Sequence, residues 1–539
     1  MLRLTEIKLP INHGPEALRA AALKRLRLPS EDLQSCAVFK RAFDARKKSA
    51  IVFIYTLDVI VRHEVATLKR FAGDARVRIT PDMTYRFTAR APKHVARRPV
   101  VIGAGPCGLF AALILAEAGF RPIILDRGKV VRERTKDTWG LWRRSVLDPE
   151  SNVQFGEGGA GTFSDGKLYS QIKDPRHLGR KVLTEFVKAG APAEILTEAH
   201  PHIGTFRLVT MVESLRQTIE SLGGEYRFQS RVEDLDIDTH KGQRCMRGVV
   251  LADGTRIAAD HVVLAPGHSA RDTFAMLAAR GVDIEAKAFS IGFRIEHPQS
   301  LIDRARFGKS IKELGAADYR LVHHASNSRT VYSFCMCPGG TVVAATSEDG
   351  CVATNGMSQY SRGERNANAG IVVGITTADY PEHALAGIEL QRRLEVRAFE
   401  VGGRTYAAPV QRVGDFLAAR PSTGLGSVTP SYRPGVTPSD LSDCLPDYAI
   451  AAIREALPAF GRQIPGFDMA DAILTGVETR TSSPIRIRRN DRFESVNTAG
   501  LFPAGEGAGF AGGILSAGVD GIRVAEAVAR SIVDRFALA

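Results

Sequence analysis

Apolar positions in this chain follow three patterns, whose order predicts a layered α/β architecture. Residues 3–9 alternate apolar with polar, as a half-buried strand does, and residues 50–61, rich in Ile, Val, Phe and Tyr, read as a second strand. Residues 15–26 and 64–71 carry helical spacing, and residues 77–79 add a short strand, so the first 96 residues form a small α/β unit. After a polar stretch bracketed by Pro92 and Pro99 the pattern changes to short, unbroken apolar runs. Residues 99–102, the apolar end of a second strand at 121–125, and the buried strand between the polar turn and the glycine turn of 257–267 are such runs, typical of parallel strands buried on both faces. Helical spacing returns in residues 109–118 and 521–536. No repeat of 20–50 residues and no low-complexity tract interrupts this order.

The turn after the first buried run carries the chemistry. Gly103, Gly105 and Gly108 stand at G-x-G-x-x-G spacing, with Pro106 at the first turn of the following helix and Cys107 beside it. The first glycine permits a tight turn, the second lets backbone approach a pyrophosphate, and the third lets helix pack on strand. Helix N-terminal amides attract the anion. The next strand ends in Asp126-Arg127, placing an acid for ribose hydroxyls. Glycine triplets alone are weak evidence; strand, glycines, helix, strand and acid in register are strong. Nearly four hundred residues later the chain builds a second such loop, Gly505-Glu506-Gly507, followed by Gly512, Gly513 and Ile514. With the turn at Ala265-Pro266-Gly267, it implies a long, resident dinucleotide held from two sides.

At 539 residues the chain is long enough for two or three domains. Its apolar runs fall short of the roughly 18 residues a membrane span needs, and its start lacks a signal peptide's apolar core, so a cytoplasmic protein is expected. Seven scattered cysteines do not make a disulfide framework. Residues 1–98 carry a net +12 of the chain's +13. That segment is a solvated basic face, or a site for nucleic acid or an acidic partner; no zinc-finger or RRM signature accompanies it. No pattern in the chain fixes an oligomeric state.

Three further segments carry a resemblance: residues 152–168 (with Gly158, Gly159, Gly161, Thr162, Ser164, Asp165 and Lys167), residues 335–340 (Cys-Met-Cys-Pro-Gly-Gly), and residues 476–484. Together with the two nucleotide loops they resemble the FAD-binding framework of glutathione-reductase-type flavoproteins, within an uncharacterised bacterial family of FAD-dependent dehydrogenases that has a small N-terminal extension. The resemblance covers essentially the whole chain. It implies a three-layer FAD-binding Rossmann domain from residues 97–275 and 485–539, an inserted α+β substrate domain at 276–484, and the basic module at 1–96. It assigns the ADP half to Gly103, Gly105, Gly108 and Asp126, and the ribityl and pyrophosphate to the loop around Glu506, where Asp is usual. The activity implied is hydride transfer between flavin and a small-molecule substrate. Flavin monooxygenation, and an RNA- or partner-binding flavoprotein, are the alternatives.

Residues 154–167 contain five glycines, which lets backbone amides face a ligand; the loop is expected along the flavin pyrophosphate and under the ring, rather than as a free surface loop. Residues 332–345 read as strand, Pro-Gly-Gly turn and strand, with Cys335 and Cys337 on one face. The two thiols line the pocket, pack as inert core, or form a redox pair. Cys107 reads as a small packing residue. Glu478, Arg480, Ser482 and Arg486 alternate, so an extended strand shows them on one face, for an anionic group or as surface ion pairs. Arg480 is the candidate there for a catalytic charge, and His268 stands directly after a cofactor turn. Between Asp126 and Asp260 no second G-x-G-x-x-G opens another nucleotide domain, so NAD(P)H enters as a transient donor at most.

Overall fold

The computed structural model describes residues 1–308 and 312–538. Five parallel strands form the centre of the nucleotide unit, in the spatial order Leu501–Pro503, Val262–Leu264, Val100–Ile102, Ile123–Leu125 and Glu225–Arg227. Period-2 alternation gives each face its own core. Val101, Ile124, Val263 and Phe502 join helices Pro106–Glu117, Leu178–Lys188, Thr205–Ser221 and Ile514–Leu538. Val100, Ile102, Ile123, Leu125, Val262, Leu264 and Leu501 pack the other way, onto an antiparallel sheet of Val232–His240, Gln243–Leu251 and Arg256–Ala258. Strands sandwiched in this way have no polar face, which is why they appear as unbroken apolar runs. Cys107 through Ala116 are all buried in the first helix, and each fully buried Leu or Ile contributes about 1.5–3 kcal/mol.

The last helix begins at Ile514, seven residues before its expected start. Gly518 and Gly521 look like helix breakers in sequence. Here they let this helix cross Pro106–Glu117 closely: a Cβ on Gly521 would lie 2.2 Å from the Cys107 carbonyl oxygen.

Residues between the two halves of the nucleotide unit build a large mixed sheet. Its long antiparallel centre is Thr330–Ala344, Asn366–Ile375, Phe289–Pro298 and Ile473–Glu478, covered by helices that include Ala386–Val401 and Asp447–Gln463. Two expectations fail in it. Thr330–Ala344 is one continuous strand, because Pro338-Gly339-Gly340 is a bulged stretch rather than a turn, with register shifts between Phe334 and Cys337 and between Cys337 and Gly340. Simple alternation therefore does not place Cys335 and Cys337. The proposed face of Glu478, Arg480, Ser482 and Arg486 is also broken, since the strand ends at Glu478 beside another register shift. Arg486 instead makes a surface pair with Glu285.

The N-terminal module is a four-stranded antiparallel sheet ordered Leu33–Asp44, Val52–Val61, Leu2–Pro10 and Val77–Ile79, packed against helix Ala17–Leu26. Leu33–Asp44 escaped the sequence reading because it is an edge strand, partly exposed on both sides and hence without alternation. At Arg41 it pairs with backbone at Thr197 and Ala199. An irregular strap follows, whose Tyr85, Phe87, Ala89, Ala91 and Val95 lie against the helical core.

Candidate functional site

The two nucleotide loops meet over the carboxyl ends of the parallel strands, at one side of a cleft of about 390 Å³. Gly103 has φ +97°, and a Cβ there would lie 2.2 Å from the Ala265 carbonyl oxygen. Gly105 faces Gly159 of the glycine-rich loop backbone to backbone; a Cβ on Gly159 would stand 2.8 Å from the Gly105 Cα. Side chains at either position would fill the channel by which a pyrophosphate reaches the helix at Pro106. Asp126 is buried and accepts from the amides of Ala104 (2.8 Å) and Gly128 (2.9 Å). It fixes the turn and retains lone pairs for hydroxyl groups.

Three polar residues that the sequence reading missed hold these loops in place. Arg134 is fully buried and donates 2.7 Å hydrogen bonds to the carbonyls of Asn152, Val153 and Glu157, stapling the glycine-rich loop. Burial lowers its pKa to about 10. Glu157 is buried under the loop and accepts from the Val131 amide and Arg216 Nε, both at 2.7 Å. Asp520, in the last helix, accepts from the Gly505 amide at 2.8 Å and from Arg489 at 2.7 and 2.9 Å. Their partners lie 15 to 59 residues away, and in sequence each is one charge among many.

Most sequence-predicted cofactor residues line this cleft: Gly103, Gly105, Pro106, Cys107, Asp126, Arg127, Gly159, Gly161, Ser164, Asp165, Lys167, Ala265, Gly267, Gly505, Glu506, Gly512, Gly513 and Ile514. Gly108, Gly158 and Thr162 do not. Gly108 packs on the Gly103 carbonyl, and Gly158 leaves room for the Thr162 hydroxyl, which is turned into the protein. Cys107 sits against Gly505, and burial pushes its thiol well above the ordinary range, as befits a packing residue. The Arg127 guanidinium is occupied by Glu150 and Asp272 and lies over Phe155. Burial lifts the Glu506 carboxyl to about 7, although the Ser483 amide donates to it at 3.0 Å and Lys287 attracts its charge.

The cleft continues past the loops to groups contributed by the large sheet: Phe334, Cys335, Asn355, Glu478, Arg480 and Thr481. Arg294, fully buried, pairs with Glu478 (2.9 and 3.2 Å) and donates to the Cys335 carbonyl (3.0 Å). Arg362 pairs with Asp165 (3.0 and 2.5 Å). Lys167 donates to the Met336 carbonyl. Cys335 lines the cleft while Cys337 is fully buried, its thiol donating to the Cys335 carbonyl at 3.3 Å. Arg480 reaches the cleft but shares the buried carboxylate of Glu395 with Arg271. Burial opposes ionisation of Glu395, yet the two arginines hold its carboxyl far below the usual range. Burial, reinforced by Arg480 and Arg271, lowers the His268 pKa to about 4, so this cleft-lining imidazole is neutral. No cluster of three or more metal-ligating side chains occurs among the described residues. Nor is any helix among them long and apolar enough to cross a membrane.

Residues 97–299 match the pyridine nucleotide-disulphide oxidoreductase family, residues 288–481 match the C-terminal-domain-like family of FAD-dependent proteins, and residues 1–60 match a domain of unknown function. An uncharacterised protein of Clostridium beijerinckii is 45% identical over 541 residues, covering 100% of this chain and 99% of its own. The chain belongs to that protein's family of FAD-dependent oxidoreductases. Among solved structures, halogenase PltM aligns over 82% of this chain and 70% of its own at 12% identity, with a TM-score of 0.38. Glycine oxidase from Bacillus cereus aligns over 81% and 95% at 11% identity, with a TM-score of 0.35. Neither likeness bears on which substrate is taken. For an FAD-dependent oxidoreductase the cleft has the required fit. Glycine backbone lines the channel at Gly103, Gly105 and Gly159, an acid closes one end, and polar groups of a second sheet close the other.

Proposed function

We propose that this FAD-dependent oxidoreductase transfers hydride between the flavin and a small organic substrate held at the Lys167–Cys335–Glu478 end of the cleft. The observation that carries the reading is the continuity of one cleft, which runs from Asp126 and Arg127 to Lys167 of the glycine-rich loop and the Cys335, Asn355 and Glu478 side chains of the inserted sheet. The bound flavin supplies two-electron chemistry. The chain's own residues orient and shield. Gly103, Gly105 and the helix at Pro106 would receive the pyrophosphate, Asp126 would meet the adenosine ribose, and the Glu506 loop would meet the ribityl segment. Residues 276–484 form the substrate domain, closing over the ring and excluding water. Arg480, held with Arg271 on the buried Glu395 carboxylate while Glu348 takes a further hydrogen bond from Arg271, would present a fixed guanidinium to that part of the cleft and help orient what binds there. NADH or NADPH would bind transiently in the open end, in keeping with the lack of a second G-x-G-x-x-G opening a strand–helix unit between Asp126 and Asp260.

Anaerobic titration with NADH and NADPH, following loss of flavin absorbance, tests this. Bleaching by either, reversed by a reducible organic substrate without oxygen, supports hydride transfer. Reoxidation only by dioxygen, with an oxygen atom appearing in the product, identifies a monooxygenase instead.

A further inference from the structure

Around the substrate end of the cleft the buried charges do not balance. Arg294 is matched by Glu478, and Arg362 by Asp165, each through two hydrogen bonds. Lys167 is four-fifths buried, and its only hydrogen bond among the described residues goes to the Met336 carbonyl; the Asp165 carboxylate, already held by Arg362, is 4.0 Å away. A desolvated ammonium requires a counter-charge. Beside it the strand bulges at Cys335, whose φ of +43° is unusual for a residue with a side chain, and the bulge brings Cys335 to the cleft wall. Backbone of this kind persists where its surroundings enforce it. The enforcing contacts are visible: Arg294 Nη1 and the Cys337 thiol both donate to the Cys335 carbonyl, and Lys167 holds the carbonyl of Met336.

We propose that Cys335 rests as a thiolate with Lys167 as its counter-ion, and that it is the nucleophile for an electron-poor carbon of the substrate. The charged and titratable groups facing it are Cys337 on its own strand, Lys167 and Asp165 on the glycine-rich loop, Arg294, and Glu478. The Cys337 thiol, then Lys167 and Arg294, hold the Cys335 thiol well below the ordinary range against burial and Asp165. With a carbonyl substrate the step is self-contained. The thiolate pair forms the S–C bond, the carbonyl π pair moves to oxygen, and the Lys167 ammonium protonates that oxygen, leaving an amine and a hemithioacetal.

This assignment rests on the substrate end proposed above, but its test reads the thiol rather than the flavin, so either can fail alone. The holoenzyme is treated with iodoacetamide, itself an electron-poor carbon, across pH, and labelling at Cys335 is followed by peptide mass. An ordinary thiol titrates near about 8.5, so Cys335 labelling at about pH 6 at least ~10-fold faster than that of the other cysteines is the expected result. Lys167→Met slows labelling at about pH 6 by ~10-fold or more while sparing that at about pH 9.5, and Lys167→Arg restores it. An unchanged circular dichroism spectrum and melting temperature show that the variants fold. The proposal is overturned if Cys335 labels only above about pH 8, never labels, or ignores Lys167→Met.

Discussion

Replacing Asp520 by asparagine isolates the charge that locks the C-terminal nucleotide loop. Its carboxylate accepts from Arg489 at 2.7 and 2.9 Å and from the Gly505 amide at 2.8 Å, and both charged side chains are less than a tenth exposed. Asparagine keeps the volume and can still accept from Gly505, so the loss falls on the ion pair. Stripping one partner from a buried pair costs about 3–5 kcal/mol, because the other charge stays buried and uncompensated. For a nucleotide unit of roughly 230 residues, an unfolding entropy of about 2.1 cal/mol/K per residue makes each degree worth about 0.5 kcal/mol, so Tm should fall by about 6–10 °C. Differential scanning calorimetry on the holoenzyme measures this, with flavin fluorescence reporting cofactor release. Adding Arg489→Met should recover part of the loss by removing the orphaned cation. A Tm within about 2 °C of wild type for Asp520→Asn refutes the reasoning.

Gly103→Ala combines a positive φ with a Cβ 2.2 Å from the Ala265 oxygen, so the protein should purify with little FAD, read as the ratio of flavin to protein absorbance. Arg134→Met orphans three buried carbonyls at about 1–3 kcal/mol each, partly offset by removal of a buried charge; amide exchange at residues 152–159 should accelerate. In flavin-free protein, the Glu506 carboxyl at about 7 lies above its unfolded value of about 4.3, so its stabilising contribution is complete below the lower figure and lost as pH rises through the upper. Wild-type apoprotein should therefore lose Tm relative to Glu506→Gln between about pH 4.5 and 8, and a constant difference would contradict this.

What the sequence discloses here is local. Gly103, Gly105, Pro106 and Asp126 lie within one strand–turn–helix–strand unit, where spacing alone dictates geometry, and the structure places all four on the cleft. Arg134 and Asp520 were illegible because their partners are set by tertiary packing, and an arginine amid the charges of residues 131–144 looks like a surface residue. Arg294, Glu395 and Asn355 were missed for the same reason: their partners come from other strands and helices. Alternation misled at residues 330–344 and 473–487, since it assumes regular pleating and these strands bulge or end where they meet the cleft. Irregular backbone concentrates at such sites. The glycines of the last helix misled in the opposite sense, serving close helix contact rather than interruption.

The most direct test is to denature the purified chain and quantify the released nucleotide by chromatography and absorbance. Stoichiometric FAD, whose rebinding to the stripped chain is abolished by Gly103→Ala, is the predicted result. A colourless protein that takes up no FAD, or one that releases NAD instead, would contradict a flavin lying between the Gly103 and Glu506 loops.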